Sequence, residues 1–384
     1  MPRTPRNTLA LRPRVTSAAD SLRPTRAEID LGAIAHNLGV VRRAVGSAAV
    51  LAVVKADGYG HGVVPVAARL QQEGVDGFGV ALAEEGLELR EAGVSAPILV
   101  LNGVYGGAHK EVLDAGLTPV VYDLGELAAF ARAARGRAFG VHLKVDTGMG
   151  RLGVVAAELE GFLDGLARVR GARIDGLMTH FASADSDPVQ TREQLERFAT
   201  ARALVAARGH RPRTVHAANS AAALAVADAR FDLVRTGIAL YGLAPAPGTG
   251  EGLRPAMRLR TEVIAVRDLP ADSPIGYGAT FRTSRPSRIA TVPVGYGDGL
   301  LRSTSNRGHM LVQGQRAPIV GNVSMDLTTL DVTGVAGVAV GDEVVLLGAQ
   351  GSDRIGAEEI AVSAGTIMYE VLTNVSRRVP RFYA

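Results

Sequence analysis

The chain has 384 residues, 47% of them hydrophobic, so it can bury a large core, and its length suggests about two domains. It has no cysteine, which excludes disulfides, thiol nucleophiles and cysteine-ligated metals and makes a reducing cytoplasm the simplest setting. No apolar stretch reaches the roughly 20 residues needed to cross a bilayer, and the N-terminus lacks the pattern of a secretory signal, so we expect no membrane partner.

The positive charge of the chain is concentrated at its N-terminus. The formal net charge is +4, and residues 1–26 carry a net +5, so the remainder is close to neutral. We expect residues 1–25 to be a disordered basic arm, with a nucleic-acid-binding arm or a targeting peptide as the alternative. With 4% aromatic residues and no tryptophan there is little to build a base-stacking surface, so nucleic acid is not an expected partner.

Apolar runs then alternate with helix-length stretches in a regular rhythm. Each run is short, and each is followed by apolar residues at three- and four-residue spacing. Eight such units predict a parallel sheet closed into a (β/α)8 TIM-type barrel over residues 26–250, and an open doubly wound sheet is the alternative. The runs lie near residues 49–54, 77–81, 97–101, 118–122, 139–145, 173–179, 213–216 and 231–234.

The pattern changes after residue 250. The Pro- and Gly-rich piece 244–252 is predicted to join two domains. Beyond it, short apolar runs separated by Gly, Pro, Asp and Asn predict a mostly antiparallel C-terminal β domain over residues 251–384. The predicted fold class is therefore α/β, a barrel followed by a β domain, with helices expected near residues 357–363 and 367–372.

One stretch places an amine where a buried strand should end. The apolar run 49–54 leads directly into Lys55 and a glycine-rich turn. Apolar surroundings lower the pKa of a lysine, as Schiff-base chemistry requires. Taken alone, however, a lysine after an apolar run is more often a solvated strand end.

Polar residues follow several of the predicted barrel strands. In such barrels the residues just past the carboxyl ends of the strands meet at one rim. Singly, each has a structural explanation: a hydrogen-bonded histidine, a salt bridge at the barrel end, or a helix cap. Together they supply an amine, an arginine and a phosphate cradle, a combination that suits pyridoxal 5′-phosphate. The rim residues are Lys55, Tyr59, Lys144, Arg151, His180, Ser220, Arg235, Gly237 and Ile238.

Five ordered stretches of the sequence add a more specific signal. They are Val54–Gly62, Lys144–Gly153, Gly276–Phe281, Val294–Gly299 and Met325–Asp326. Together they resemble the alanine racemase family, pyridoxal-phosphate enzymes of fold type III, and the similarity runs from about residue 25 to the end of the chain. The resemblance implies an isomerase that interconverts L- and D-alanine for peptidoglycan synthesis, acting as a cytoplasmic homodimer with shared active sites.

The resemblance also implies roles for individual residues. Lys55 would hold the cofactor and act as the base on the D-side, and Tyr277 of the other subunit would act on the L-side. Two bases on opposite faces of a planar carbanionic centre are what a racemase needs. No metal is implied.

The remaining roles concern the cofactor and the substrate. Arg235 would face the pyridine nitrogen with His180 behind it, and an arginine in that place stays protonated. Arg151 and the backbone N–H of Met325 would contact the substrate carboxylate, and Lys144 matches a position carbamylated in many relatives. The phosphate would be held by Tyr59, Ser220, Gly237, Ile238 and Tyr296.

Other functions remain open from the sequence. A broad-specificity racemase acting on serine or lysine would share these motifs, and Ser324 and Thr236 depart from residues common in the family. A barrel-type decarboxylase normally uses a carboxylate at the pyridine nitrogen and a catalytic cysteine, which this chain lacks. A non-catalytic pyridoxal-phosphate carrier would consist of the barrel alone.

Overall fold

A computed structural model describes residues 22–384. They form two compact units: Asp30–Ala256, and residues 22–29 together with Met257–Ala384. Of the arm predicted over residues 1–25, residues 1–21 lie outside the described residues. Thr25, by contrast, is buried in the second unit, where its hydroxyl donates to the Pro293 carbonyl at 2.6 Å. The chain passes from one unit to the other after residues 29 and 256, and the three-part domain division stays a prediction.

The first unit is an eight-stranded parallel sheet, which confirms the predicted barrel. After β1 (Arg26–Ile29), which belongs to the second unit, the chain forms the barrel strands in nearly the predicted places. The strands are β2 (Ala49–Val53), β3 (Gly77–Val80), β4 (Ile98–Val100), β5 (Thr118–Val121), β6 (Phe139–Asp146), β8 (Ala172–Met178), β9 (Thr214–His216) and β10 (Leu233–Thr236), while β7 (Val154–Val155) pairs with the end of β6. Their order in the sheet is β10, β2, β3, β4, β5, β6, β8, β9, and every neighbouring pair is parallel.

Backbone hydrogen bonds also join β9 to β10, the two strands at the ends of this order. The Arg235 N–H donates to the Ala218 carbonyl at 2.9 Å, and the Asp232 N–H donates to the Val215 carbonyl at 3.1 Å. Side chains fill the interior, as expected for a barrel of this size. One buried cluster draws on five strands: Leu51, Leu99, Val120, Met178 and Leu233.

Helices follow the strands because their apolar residues recur at helical spacing, and several of them have a capped first turn. Asp30, Asp123 and Asp187 each accept a hydrogen bond from the first turn of a helix. The helices of this unit are Leu31–Val45, Val63–Gln72, Ala83–Glu91, His109–Asp114, Leu124–Ala134, Leu159–Leu166, Pro188–Ala207 and Ser220–Ala225.

The second unit is mostly antiparallel, as predicted. Its strands are β11 (Met257–Glu262), β12 (Ala265–Leu269), β13 (Pro274–Ile275), β14 (Phe281–Arg282), β15 (Ser287–Val292), β16 (His309–Val312), β17 (Gln315–Pro318), β18 (Thr328–Asp331), β19 (Glu343–Gln350), β20 (Asp353–Ile355) and β21 (Arg381–Tyr383), with helices Ala357–Ala364 and Met368–Thr373. The main sheet has the order β17, β16, β19, β11, β1, β21, with β20 on β19. β1 pairs antiparallel with β11 and parallel with β21.

Smaller sheets complete the second unit. β12, β15 and β18 form a three-stranded antiparallel sheet, and β13 and β14 form a hairpin. Within residues 22–384 no helix combines the length and apolar character needed to span a membrane.

Candidate active site

Lys55 begins a turn of unusual handedness. It follows β2 by two residues, and the next five residues, 56–60, all have positive φ, between 52° and 80°. The Gly58 N–H donates to the Val54 carbonyl at 2.9 Å, so the chain makes a left-handed helical turn. For residues other than glycine this conformation is less favourable by about 1–2 kcal/mol each, so the surroundings must hold it in place.

Contacts from neighbouring elements stabilise this turn. The Ala56 N–H donates to a Glu85 carboxylate oxygen at 2.6 Å, and the Val63 N–H donates to the Asp57 carboxylate at 2.8 Å. The Tyr59 ring stacks on Tyr241 with centroids 4.8 Å apart. The sequence analysis missed Glu85 and Tyr241, because neither lies in a motif around the lysine.

Burial and neighbouring cations lower the pKa values of two lysines in the barrel. The pKa of Lys55 is lowered, first by burial and then by Arg151, against an opposing effect of Glu85. The pKa of Lys144 is lowered to about 8 by burial, with Arg235 and Arg151 adding to the effect. Arg151 itself is exposed. A larger fraction of each amine is therefore neutral near pH 8 than in an exposed lysine.

Arg235 is a buried cation whose hydrogen-bond partners are all neutral. The residue is 4% exposed. Its guanidinium donates to the carbonyls of Thr179 (2.8 Å) and Ala217 (2.9 Å) and to the Nδ1 atoms of His216 (3.0 Å) and His180 (3.1 Å). Burial lowers its pKa to about 9. Within the described residues no carboxylate hydrogen-bonds to it, so an anionic ligand would supply charge that the protein does not.

Arg235 also fixes which ring nitrogen carries the proton in His216 and, through it, in His142. Because a guanidinium only donates, the Nδ1 of His216 must accept, and its Nε2 carries the proton. That Nε2 lies 2.8 Å from the Nδ1 of His142, which therefore accepts in turn. Burial, with Arg235 nearby, holds the pKa of His216 and of His180 well below the usual range. The sequence analysis assigned no role to His142 or His216.

Four of the five residues predicted to hold a phosphate lie in the barrel unit. The Gly237 N–H donates to the Ser220 hydroxyl at 2.8 Å, and both residues are buried. A Cβ on Gly237 would lie 2.3 Å from the Tyr59 hydroxyl, so the three groups meet closely. Ile238 is buried directly after Gly237. Ser220 is the first residue of its helix, and Asn219 is the cap, accepting from the Ala222 N–H at 3.0 Å.

Three further predicted residues lie together in the second unit. Tyr277, Tyr296 and Met325 line one cavity of about 610 Å³ and are 75%, 43% and 52% exposed. The Asn322 side-chain amide donates to the Tyr277 carbonyl at 2.8 Å and holds that loop. The structure thus groups Tyr296 with the predicted substrate-side residues.

Two family models match the chain. Alanine racemase, N-terminal domain, matches residues 29–245, and alanine racemase, C-terminal domain, matches residues 256–383. The chain belongs to the alanine racemase family. It is 50% identical to an alanine racemase of Sorangium cellulosum over 94% of this chain and 99% of that relative, and 48% identical to one of Symbiobacterium thermophilum over 95% and 98%.

Solved alanine racemases share the fold. One from Streptomyces coelicolor A3(2) matches with a TM-score of 0.91 and 38% identity, covering 95% of this chain and 99% of that one. One from Bacillus anthracis, solved with bound L-Ala-P, has a TM-score of 0.89 and 36% identity, covering 95% and 96%. The family depends on pyridoxal phosphate, and the barrel site fits that group. It offers an amine of lowered pKa, a close-packed glycine and a buried guanidinium to which no carboxylate hydrogen-bonds among residues 22–384.

Proposed function

We propose that the chain interconverts L- and D-alanine with two bases, Lys55 and Tyr277, and supplies D-alanine for peptidoglycan. The main support is the Lys55 amine, whose pKa is lowered by burial at the carboxyl end of β2, on the same barrel unit as the buried Arg235. When bound, pyridoxal phosphate conjugates with the amino group of the substrate and makes its α-hydrogen acidic.

The residues of this chain would then move the proton. In the conversion of D-alanine to L-alanine, the Nζ atom of Lys55 accepts the α-proton on one face and the Tyr277 hydroxyl donates a proton from the other, so the centre is inverted. In the conversion of L-alanine to D-alanine the two groups exchange these roles. The cations Arg151 and Arg235 stabilise the negative charge of cofactor and substrate, and the Met325 N–H orients the carboxylate. Lys144, carbamylated, would position Arg151. Tyr59, Ser220, Gly237 and Ile238 would hold the phosphate, while His180 supports Arg235.

For Tyr296 we favour a place in the wall of the substrate mouth. It lines the same cavity as Tyr277 and Met325, in the second unit, whereas the other predicted phosphate ligands lie in the barrel unit. The phosphate role predicted for Tyr296 from the sequence stays a prediction.

The attachment of the cofactor to Lys55 can be tested directly, because the chain has only three lysines. Borohydride reduction of the cofactor-loaded protein, followed by peptide mass spectrometry, should place the label on Lys55 and leave Lys110 and Lys144 unlabelled. Lys110→Arg, at an exposed position, serves as the matched control and should label like the unaltered protein. Label on Lys110 or Lys144 instead would refute the assignment.

The reaction is tested by chiral analysis after separate incubations with L-alanine, L-serine and L-lysine. Formation of D-alanine well above the other D-amino acids, absent in Lys55→Ala, is the expected result. Comparable turnover of serine or lysine would indicate a broad-specificity racemase. Lys55-dependent cofactor binding without turnover would indicate a carrier.

We further propose a cytoplasmic homodimer in which each site uses Lys55 of one subunit and Tyr277 of the other. Lys55→Ala and Tyr277→Phe would each be inactive alone, but mixing their subunits restores one complete site in each mixed dimer. Random exchange should recover about a quarter of the original activity, because half of the dimers are mixed and each has one intact site of two. No recovery after proven exchange would show that both bases come from one subunit.

A further inference from the structure

In the second unit an ion cluster around the buried Asp298 carboxylate lies beside the cavity that Tyr277, Tyr296 and Met325 line. We propose that Arg378 is a positioning residue that fixes the loops carrying Tyr296 and Met325 and thereby sets the affinity for the substrate carboxylate. This inference rests on the proposed racemase function.

The cluster is centred on a carboxylate without exposed surface. Asp298 has a side chain 0% exposed, and it accepts from the Arg378 Nε at 2.7 Å and from the Gly295 N–H at 3.0 Å. The Arg23 guanidinium lies 2.8 Å from the same carboxylate. Burial alone would raise the pKa of Asp298, but the hydrogen bonds from Arg378, Gly295 and Arg23 outweigh it and lower that pKa. Asp298 is therefore a fixed anion to which Arg378 is anchored.

Arg378 connects this anion to the neighbouring loop. Its Nη2 donates to Asp326 at 2.5 Å as well as to Asp298 at 3.3 Å. Asp326 follows Met325 directly, and Asp298 follows Tyr296 by two residues. One planar guanidinium thus bridges the two loops, which the single-point ammonium of a lysine cannot do in the same way.

Backbone contacts make the two loops one assembly. The Tyr296 N–H donates to the Ser324 carbonyl at 3.0 Å, and the Gly297 N–H donates to the Met325 carbonyl at 2.9 Å. A Cβ on Gly297 would lie 3.0 Å from that carbonyl oxygen and 3.1 Å from an Arg378 nitrogen, so the guanidinium packs directly beneath the junction. A shift of Arg378 would therefore move the Met325 backbone.

Arg378 itself does not line the cavity. Its effect on the reaction would pass through the Met325 N–H, which binds the substrate carboxylate in the proposed function. Losing a charge-assisted contact of this kind should weaken substrate binding about tenfold. The cofactor residues of the barrel unit are not part of the cluster, so cofactor binding should be unchanged.

The experiment compares Arg378→Gln with Arg378→Lys in the cofactor-loaded protein. Arg377→Gln, at an exposed neighbouring position, is the matched control and should behave like the unaltered protein. We expect Arg378→Gln to raise the KM for L-alanine about tenfold while kcat changes less than about threefold, with Arg378→Lys giving a smaller rise. The absorbance of the bound cofactor should not change, and added guanidinium ion should lower the KM of Arg378→Gln but not that of Arg377→Gln.

A second variant covers the case in which Arg378→Gln does not fold. Asp326→Asn removes the ion pair between Arg378 and the Met325 loop and leaves the ion pair between Arg378 and Asp298 intact. We expect a smaller rise in KM than in Arg378→Gln. An unchanged KM in Arg378→Gln, or in Asp326→Asn if only that variant folds, would overturn the proposal. A loss of kcat together with loss of cofactor absorbance would overturn it too. Failure of the unaltered protein to racemise alanine would instead refute the proposed function.

Discussion

A single added methyl group at Gly237 should disrupt the proposed phosphate cradle. Gly237 has φ −116° and ψ −90°, and Gly237→Ala tests whether the space beside Tyr59 can hold a Cβ at this backbone conformation. The new Cβ would lie 2.3 Å from the Tyr59 hydroxyl oxygen and 2.8 Å from the Tyr59 Cζ, about 1 Å closer than an ordinary contact. The Tyr59 ring cannot easily yield, because it is 7% exposed and stacked on Tyr241.

Two effects follow from the displaced ring. Overpacking of this kind lowers the free energy of unfolding by about 1–3 kcal/mol. If the Tyr59 hydroxyl donates to the phosphate, its loss removes a charge-assisted hydrogen bond of about 1.5–3 kcal/mol, which weakens cofactor binding by about 10- to 100-fold. Tyr59→Phe removes the same hydroxyl without adding bulk and should show most of the loss in affinity.

The assay is titration of cofactor-free protein with pyridoxal phosphate, followed by absorbance, with thermal unfolding recorded in parallel. Gly161→Ala is the matched control, since Gly161 lies on an exposed helix face with no atom within 4 Å of its Cβ position. The double variant Gly237→Ala with Tyr59→Phe should lose much less cofactor-binding free energy than the sum of the two single losses, because both changes act on one contact. Cofactor affinity in Gly237→Ala equal to that of the Gly161→Ala control would refute the reasoning.

Further predictions concern titrating groups in the barrel. Burial lowers the pKa of His142 to about 4, so the unfolded chain binds more protons than the folded one between about pH 4 and 6.5, and stability is lost as pH falls through that window. Chemical denaturation should show a loss of about 2 kcal/mol from His142 alone between about pH 7.5 and 5, and an identical slope in His142→Asn would contradict this. Because the pKa of Lys144 is lowered to about 8, its amine should take up CO₂ in bicarbonate more readily at pH 9 than at pH 6.5; native mass spectrometry should detect the added mass, and Lys144→Arg should lack it. His216→Phe removes an acceptor of the Arg235 guanidinium and should reduce cofactor affinity about tenfold in the same absorbance titration, whereas unchanged affinity would show that this acceptor is dispensable.

The sequence predicts the barrel well because its strands are buried on both faces. Runs such as 49–54 and 231–234 are short, continuous and apolar, and the structure places β2 and β10 there. The position of Lys55 follows from the same pattern. The left-handed turn after it does not, because alanine disfavours positive φ and Ala56 is held there by a long-range contact with Glu85.

Long-range pairings are the other part that the sequence does not reveal. β1 is readable as a strand, but its pairing with β11 and β21 links positions more than two hundred residues apart. Asp298 and Arg378 are separated by 80 residues and carry no pattern that joins them. His142 lies inside a strand that reads as apolar, so its contact with His216 could not be anticipated.

The most direct test of the account follows hydrogen at the α-carbon when the cofactor-loaded protein racemises L-alanine in D₂O. Two bases on opposite faces predict that newly formed D-alanine carries solvent deuterium from its first turnovers, while the remaining L-alanine gains it more slowly. Tyr277→Phe should abolish formation of D-alanine and leave exchange through Lys55 measurable from the D-alanine side. Newly formed D-alanine that keeps the original hydrogen would show that one base serves both faces and would contradict the roles of Lys55 and Tyr277.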